Sequence, residues 1–328
     1  MTELLVAPFP YFGGKSKVAD IVWQALGRPK HYIEPFFGSG AVLLARPDYD
    51  PTQHVETIND ADGHLANVWR SLQRDPDAVA RHCDCPVNHV DMSARVHWLR
   101  RNAADVKQSM NDDPEFFDPQ AAGYWIYSTC IWIGAGMMDQ PRQKGNKLTK
   151  RPHVSGGGVG INRLTQRPHV GDGGRGISDP YNTNIYAWFR ALSERLRYVR
   201  IVCGDYSQVL GGSWQHKSKR PVGVFFDPPY ASKDRCKCYA HDSIDVAHHV
   251  REWAIKRGES PDYRIVIAGY DEHTDLLEHG WTCHRYSANG GYGNSGGASQ
   301  GKINRHRECL YFSPHCIACD QSLFRSER

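Results

Sequence analysis

The stretch HYIEPFFGSGAVLL, residues 31–44, decides the fold. His31–Glu34 predicts a short strand, the glycines that follow predict a tight turn, and the apolar run from Ala41 predicts a helix. A second predicted strand covers residues 55–59, ends at Asp60 and is followed by another helix. The order strand, glycine turn, helix, strand is the beginning of a doubly wound α/β sheet.

Helical spacing also precedes this stretch, and strand patterns return much later. Residues 16–27 (SKVADIVWQALG) predict a helix that Ser16 caps and Gly27 ends. The sheet pattern resumes near the C-terminus, with predicted strands at residues 199–203, 222–227 and 263–268 and a hairpin-like pair at 282–287 and 308–312.

The part of the chain between these strands has a different character. It holds amphipathic helices, an uncharged apolar segment (122–138) that predicts a buried helix, and a long glycine-rich region. We therefore predict a discontinuous catalytic domain (1–69 and 196–315), an inserted region (70–195) and a C-terminal tail (316–328).

Composition is that of an ordinary soluble protein, with 40% hydrophobic and 23% charged residues among 328. The net charge of +4 identifies no partner. Its distribution is more informative, because residues 142–175 contain eight Lys or Arg side chains and one acid, Asp172. Such an asymmetry favours contact with a polyanion.

The N-terminus shows no secretory signal pattern, and no segment has the roughly 20 mainly apolar residues that a membrane span needs. Ten cysteines in such a chain predict reduced thiols rather than a disulfide frame. Only one close cysteine pair, Cys316 and Cys319, has CxxC spacing, so we favour ordinary thiols over the alternative of a structural zinc site and predict no metal site.

A tandem repeat lies inside the basic segment. LTKRPHVSGGGVGINR (148–163) is followed directly by LTQRPHVGDGGRGISD (164–179). Two copies are too few for a solenoid, which needs about three or more. Two interpretations stay open: a duplicated flexible linker, or a pair of DNA-contacting loops that carry Arg151, His153, Arg167 and His169.

The glycine turn after the first strand and the acid after the second form a pair. A turn of this kind lets a ligand approach the backbone, and the next helix presents its N-terminus. Asp60 follows about 20 residues later, the spacing of an acid that accepts from ribose hydroxyls. The alternative is that Asp60 caps the next helix. We favour nucleoside binding, and NAD still fits at this point.

Two further stretches suit a nucleoside. In PYFGGK (10–15), Tyr11 is placed to contact a purine and Lys15 to lie near a carboxylate. In GDY (204–206), which follows another predicted strand, Asp205 is a candidate acceptor for an adenine amine and Tyr206 a cover for the ring. A helix cap is the plainer alternative for each stretch.

The stretch VGVFFDPPYAS (222–232) supplies reactive chemistry at the carboxyl edge of the same sheet. An exocyclic amine on a base is a poor nucleophile, because its lone pair is delocalised into the ring. The Asp227 carboxylate and the Pro228 carbonyl can accept its two N–H groups, and Tyr230 can stack on the base. This is catalysis by positioning and electrostatics, and it requires a base that has left the helix stack.

The order YFGGK, EPFFGSG, NDAD, GDY and DPPY resembles the D12-type family of DNA adenine-specific (N6) methyltransferases. RYSANGGYGN and RHRECLYF also resemble the C-terminal end of that family, so the resemblance covers roughly residues 8–75 and 120–315. It implies a Rossmann-like mixed sheet of the S-adenosylmethionine-dependent methyltransferase type. It also implies that the inserted region is a target-recognition region.

The resemblance further implies S-adenosylmethionine as the methyl donor and the N6 amine of a flipped-out adenine in DNA as the acceptor. Asp60 is the better ribose candidate in TINDAD, with Asp62 as a neighbour. The donor-binding residues are then Tyr11, Gly14, Lys15, Glu34, Phe36, Gly38, Gly40, Asp60, Asp205 and Tyr206. The catalytic residues are Asp227, Pro228, Pro229 and Tyr230, and the DNA-binding residues are Arg142, Lys144, Lys147, Arg151 and Arg167.

Four other functions stay open. They are methylation of cytosine N4, methylation of RNA, a catalytically silent relative that only binds DNA, and an NAD-dependent oxidoreductase that would have no use for DPPY. We expect DNA as the partner and a monomeric chain, with no membrane and no protein partner indicated. We expect it in the cytoplasm of a bacterial or phage-infected cell, in a restriction–modification or phage setting.

Overall fold

The computed structural model describes residues 5–9, 11, 14–85, 88–132, 137–138, 185–211, 220–229, 244–271, 273–286 and 307–317. Its contacts divide the chain into two compact units. The first unit comprises residues 1–14, 38–44 and 59–205, and the second comprises residues 15–37, 45–58 and 206–328.

Within the described ranges, seven strands form one sheet in the order β3-β2-β1-β4-β5-β7-β6. They are β1 (His31–Glu34), β2 (Val55–Asp60), β3 (Arg200–Cys203), β4 (Val222–Phe226), β5 (Tyr263–Tyr270), β6 (Thr282–Arg285) and β7 (Glu308–Phe312). β1 pairs in parallel with β2 and β4, and β4 pairs in parallel with β5. β7 is antiparallel to both β5 and β6. The predicted mixed α/β sheet with a C-terminal hairpin is confirmed.

The first unit is mainly helical. Its helices are α2 (Ala41–Leu44), α3 (Gly63–Arg74), α4 (Pro76–Cys83), α5 (His89–Asp112), α6 (Pro119–Ile131) and α7 (Ile185–Leu196). The apolar helix α6 packs against α3, α4 and α5, and it buries most of its side chains. A helix that is apolar on nearly all sides belongs in a core, as its composition predicts.

Short polar side chains fix where four of these helices begin. Asp62, Asp75, Asn88 and Asp118 each precede a helix and accept hydrogen bonds from backbone N–H groups of its first turn. These N–H groups have no partner inside the helix, so each cap contributes about 1 kcal/mol to stability.

The second unit contains helices α1 (Ala19–Leu26), α8 (Ile244–Gly258) and α9 (Asp275–Glu278), together with most of the sheet. α1 packs against β4 and β5, and α8 packs against β5. All five residues of β4 are buried, which is characteristic of a central parallel strand with both faces covered.

Several predicted boundaries were wrong by a few residues. α1 begins at Ala19 with Val18 in the cap position, so Ser16 lies too early to cap it. Gly27, with a φ of 64°, ends α1 as predicted. The apolar helix begins at Pro119 and ends at Ile131, well before residue 138, because the backbone of Trp132 turns to an extended conformation.

Strand boundaries were also wrong by one or two residues, for example at the end of β6, and the end of β4 bears on the site. β5 continues to Tyr270, two residues beyond its predicted end. β4 ends at Phe226 rather than at residue 227. Asp227 is therefore the first residue after the buried strand, where its side chain is not committed to the sheet. Among the described residues, no helix is both long enough and apolar enough to cross a membrane.

Candidate active site

In the first unit, the glycine turn is held directly against the acid that ends β2. Gly38 has a φ of 52°, a left-handed conformation that glycine adopts without strain. Its N–H donates to Asp60 Oδ2 at 3.0 Å, and its carbonyl accepts from the Trp69 indole at 3.0 Å. The turn and the carboxylate thus form one rigid group, as the paired motif predicts.

Tyr11 lies against the same turn. A Cβ atom added at Gly38 would lie 2.8 Å from Cε1 of the Tyr11 ring, so the ring can approach only because residue 38 has no side chain. Tyr11 also meets Phe9 edge-on, with ring centres 6.2 Å apart. Gly14 is exposed, and its N–H donates to the Tyr11 carbonyl at 3.3 Å.

The structure separates the roles of the two neighbouring acids. Asp62 accepts from the N–H groups of His64 and Leu65, so it is the cap of α3. Asp60 does not cap that helix, and the alternative interpretation of Asp60 as a cap is wrong. Asp60 Oδ1 instead accepts from the Asp62 N–H at 3.0 Å. Both oxygens of the Asp60 carboxylate are thereby oriented by backbone donors.

Burial, with a smaller contribution from the nearby charge of Asp62, raises the pKa of the Asp60 carboxyl to about 6. The N–H groups of Asp62, Gly38 and Ala61 oppose this shift by stabilising the ionised form. An additional hydrogen-bond donor, such as a ribose hydroxyl, would stabilise the ionised form of this buried carboxyl group.

The GDY stretch extends this part of the first unit. The Gly204 N–H donates to the Asp60 carbonyl at 3.1 Å, and Asn59 donates to the Gly204 carbonyl at 3.1 Å. These bonds hold the end of β3 beside the end of β2. Asp205 follows as an exposed side chain.

In the second unit, Tyr206 opens a short 3-10 helix (Tyr206–Val209) and stacks on Phe36. The ring centres are 5.2 Å apart and the planes are inclined by 26°. Phe36 also contacts Phe226, the last residue of β4, at 6.4 Å between ring centres. Two predicted donor-binding residues therefore lie together next to the strand that carries the DPPY stretch.

In the second unit, Lys15 forms an ion pair with Asp227, the predicted catalytic acid. Lys15 Nζ lies 2.8 Å from Asp227 Oδ2, and the two side chains are only 7% and 17% exposed. Pro228 and Pro229 are buried, and Tyr230 lies outside the described residues. Lys15 was predicted to contact the methyl donor, and its pairing with Asp227 was not predicted.

Glu34 is buried on β1, where it accepts from the Tyr32 hydroxyl at 2.8 Å. In the first unit Gly40, at a φ of 66°, is buried immediately before α2. The predicted DNA-binding residues, from Arg142 to Arg167, lie outside the described residues, as does the tandem repeat.

Sequence reasoning missed a second polar pair near Asp227. The Tyr286 hydroxyl donates to Glu308 Oε2 at 3.2 Å. Burial raises the pKa of Tyr286 well above its usual value, and the charges of Glu308 and Asp227 raise it further. Both residues lie in the stretches RYSANGGYGN and RHRECLYF, which were recognised only as a C-terminal pattern.

A mixed sheet with a glycine turn after its first strand, an acid at the end of the second, and an acid–proline–proline sequence at a buried strand end is a doubly wound α/β arrangement suited to binding a nucleoside at its strand ends. Residues 11–127 match the model of the D12 class N6 adenine-specific DNA methyltransferase family. The match covers about a third of the chain, and the family it indicates consists of enzymes that methylate adenine in DNA with S-adenosylmethionine.

The matched residues include the YFGGK, EPFFGSG and NDAD stretches. The GDY and DPPY stretches follow later in the chain, so their roles rest on the resemblance and on the contacts described above. No curated protein matches the chain.

Proposed function

We propose that the chain methylates the N6 amine of an adenine that is flipped out of DNA at a specific sequence, with Asp227, Pro228, Pro229 and Tyr230 as its catalytic residues. The observation that supports this most directly is the position of Asp227. It follows a fully buried central strand, is itself largely buried, and already holds a nitrogen cation at hydrogen-bond distance.

The contact with Lys15 indicates what the Asp227 carboxylate is suited to bind. An ammonium group at 2.8 Å presents N–H donors to Oδ2, as the amine of a base would. The Pro228 carbonyl is the second proposed acceptor, because proline fixes φ and adds no competing N–H. Two acceptors directed at the two N–H groups draw the amine towards tetrahedral geometry and expose its lone pair.

Lys15 then has a proposed role in the resting site. It supplies the countercharge that a largely buried carboxylate needs, because an unpaired buried charge is costly. When the base enters, its amine donates to the Asp227 oxygen that the ammonium contacts, either together with the ammonium or in its place. Tyr230 is proposed to stack on the base and hold the ring.

The residues proposed to hold the methyl donor form one group in each unit. In the first unit, Asp60 offers a carboxylate for the ribose, and Tyr11, Gly14, Gly38 and Gly40 shape the turn beside it, with Asp205 at the end of β3. In the second unit, Phe36 and Tyr206 offer aromatic faces, Lys15 offers an ammonium group, and Glu34 fixes the end of β1 from within the core. S-adenosylmethionine supplies an electrophilic methyl group on a sulfonium when bound.

We expect the affinity for S-adenosylmethionine to depend on pH through Asp60. The ionised carboxylate is the better acceptor for ribose hydroxyls, and the pKa of the free group is about 6. The affinity should therefore be highest above this pH and should weaken as the pH falls through 6. Titration calorimetry from pH 8 to 5 measures the effect. Asp60→Asn should bind weakly with a flat pH profile; a wild-type profile in that variant would contradict the role of Asp60.

The inserted region (70–195) is proposed to recognise the target sequence, with Arg142, Lys144, Lys147, Arg151 and Arg167 contacting phosphates. We expect Arg151→Ala combined with Arg167→Ala to weaken DNA binding and to reduce the salt dependence, by roughly one unit of slope per lost phosphate contact. Fluorescence anisotropy at several salt concentrations tests this. Unchanged affinity and slope would contradict the phosphate contacts and favour the interpretation of the repeat as a flexible linker.

The nature of the nucleic acid can be tested with a labelled methyl group. Purified protein and labelled S-adenosylmethionine are incubated with duplex DNA, single-stranded DNA or RNA, and the label in each polymer is counted. We expect label in DNA and none in RNA. Label in RNA would contradict the proposed substrate, and binding of DNA without any transfer would favour the catalytically silent relative.

We also propose that the protein acts as a monomer in the cytoplasm of a bacterial or phage-infected cell. The family match over residues 11–127 and the DNA substrate that this family implies support this setting. Gel filtration of the purified chain and fractionation of the producing cells test the two statements, and a dimer or a membrane-bound pool would contradict them.

A further inference from the structure

The turn between β2 and α3 is held by hydrogen bonds within the turn and by donors from other parts of the first unit. Within Asp60–Ala61–Asp62, the first carboxylate accepts from Gly38 and Asp62, and the second caps α3. The carbonyl of Ala61 receives its donor from elsewhere in the first unit: Lys107 Nζ, on α5, lies 3.0 Å away.

Close packing brings Lys107 to this position. A Cβ atom added at Gly63, the first residue of α3, would lie 2.8 Å from Lys107 Cβ. The absence of a side chain at residue 63 thus lets α5 approach the start of α3. The lysine stem passes over Gly63, and the ammonium reaches the carbonyl next to Asp60.

The charge of Lys107 also acts on this group of residues. Burial raises the pKa of the Cys203 thiol, at the end of β3, to about 11; Lys107 lowers it, while Asp60 and Asp62 raise it. The pKa of the Cys203 thiol is therefore affected by the Lys107 ammonium and by both carboxylates. A positive charge here offsets the repulsion between Asp60 and Asp62 and favours the ionised form of Asp60.

We propose that Lys107 is a positioning residue of the methyl-donor site. By donating to the Ala61 carbonyl, it fixes the turn that carries Asp60. Helix α5 of the inserted region thereby sets the affinity for S-adenosylmethionine. The inference rests on the proposed role of Asp60 in binding the donor. It links the region proposed to read DNA with the site that holds the cofactor.

The test uses the full chain and titration calorimetry with S-adenosylmethionine. Lys107→Met keeps the stem over Gly63 but removes the donor and the charge, and we expect Kd to rise about 10-fold. Lys107→Arg should retain most of the affinity. Arg101→Met removes a positive charge from an exposed position of the same helix and should leave Kd unchanged.

Two further readouts separate positioning from simple stability. With saturating S-adenosylmethionine, kcat of Lys107→Met should match the wild type, while KM for the donor rises. The charge of Lys107 acts on the Cys203 thiol together with those of Asp60, Asp62 and Arg70, so its loss should also move the pH midpoint of donor binding upward.

Equal affinity of Lys107→Met and the wild type, or equal losses in the Met and Arg variants, would overturn the inference and leave the proposed function intact. A lower thermal midpoint with unchanged Kd would overturn it in the same way. A wild-type chain that does not bind S-adenosylmethionine would overturn the proposed donor site and this inference together.

Discussion

Asp227→Ala should lower the rate of methyl transfer by about 10³-fold or more, the loss expected when a group that acts on the developing charge of the reacting centre is removed. The carboxylate is the proposed acceptor for the amine, and its loss leaves the base neither oriented nor polarised. Because no donor-binding residue is replaced, Kd for S-adenosylmethionine should remain close to that of the wild type. Single-turnover transfer to duplex DNA and calorimetry measure the two quantities.

This variant also leaves Lys15 without its carboxylate in a site where the ammonium is 7% exposed. An unpaired buried charge lowers stability, so the thermal midpoint should fall. Asp227→Ala combined with Lys15→Met removes both charges and should recover much of the midpoint but none of the transfer. Substantial turnover in either folded variant would contradict the catalytic role of Asp227.

Glu56→Leu should reduce the free energy of unfolding by about 3–5 kcal/mol, the usual effect of removing one partner from a buried ion pair. Arg46 Nη1 lies 3.0 Å from Glu56 Oε1, and the side chains are 2% and 0% exposed. Arg46 also donates to the Pro29 carbonyl at 2.6 Å and lies over the Trp23 ring, so it cannot move to solvent. Urea denaturation of the full chain measures the loss.

The second unit offers a matched control for this prediction. Arg28 and Asp48 form an ion pair whose side chains are 79% and 67% exposed. Arg28→Ala should cost less than about 1 kcal/mol, because water screens and solvates such pairs. Arg46→Met combined with Glu56→Leu should be less destabilised than Glu56→Leu alone, since no charge is left behind. Equal effects of Glu56→Leu and Arg28→Ala would contradict the special cost of the buried pair.

Much of the fold was predictable because its signals are local. A strand of four to six residues, a glycine turn and a capped helix each depend on neighbouring side chains, and β1, β2 and the turn at Gly38 appear where the sequence places them. Helix ends were harder to predict. The first glycine after Ile131 lies three residues beyond the end of α6, so the apolar pattern predicted a longer helix.

Parts of the candidate site could not be predicted from local patterns. From the sequence alone, Asp60 and Asp62 are equally suitable as the cap of α3. Only the hydrogen bonds from Gly38, His64 and Leu65 distinguish them. Lys15 and Asp227 are far apart in sequence, and nothing around either residue indicates that they pair. The bond from Lys107 to Ala61 is similarly invisible, because it depends on how closely α5 approaches Gly63.

The most direct test of the account is the identity of the nucleoside that receives the methyl group. Duplex DNA of mixed sequence is incubated with the full chain and S-adenosylmethionine carrying a heavy-isotope methyl group, then digested to nucleosides and analysed by mass spectrometry. Asp227→Ala serves as the control for contaminating activity. The account predicts labelled N6-methyladenine from the wild-type chain and none from the control. Labelled N4-methylcytosine, or label that persists in the control, would contradict it.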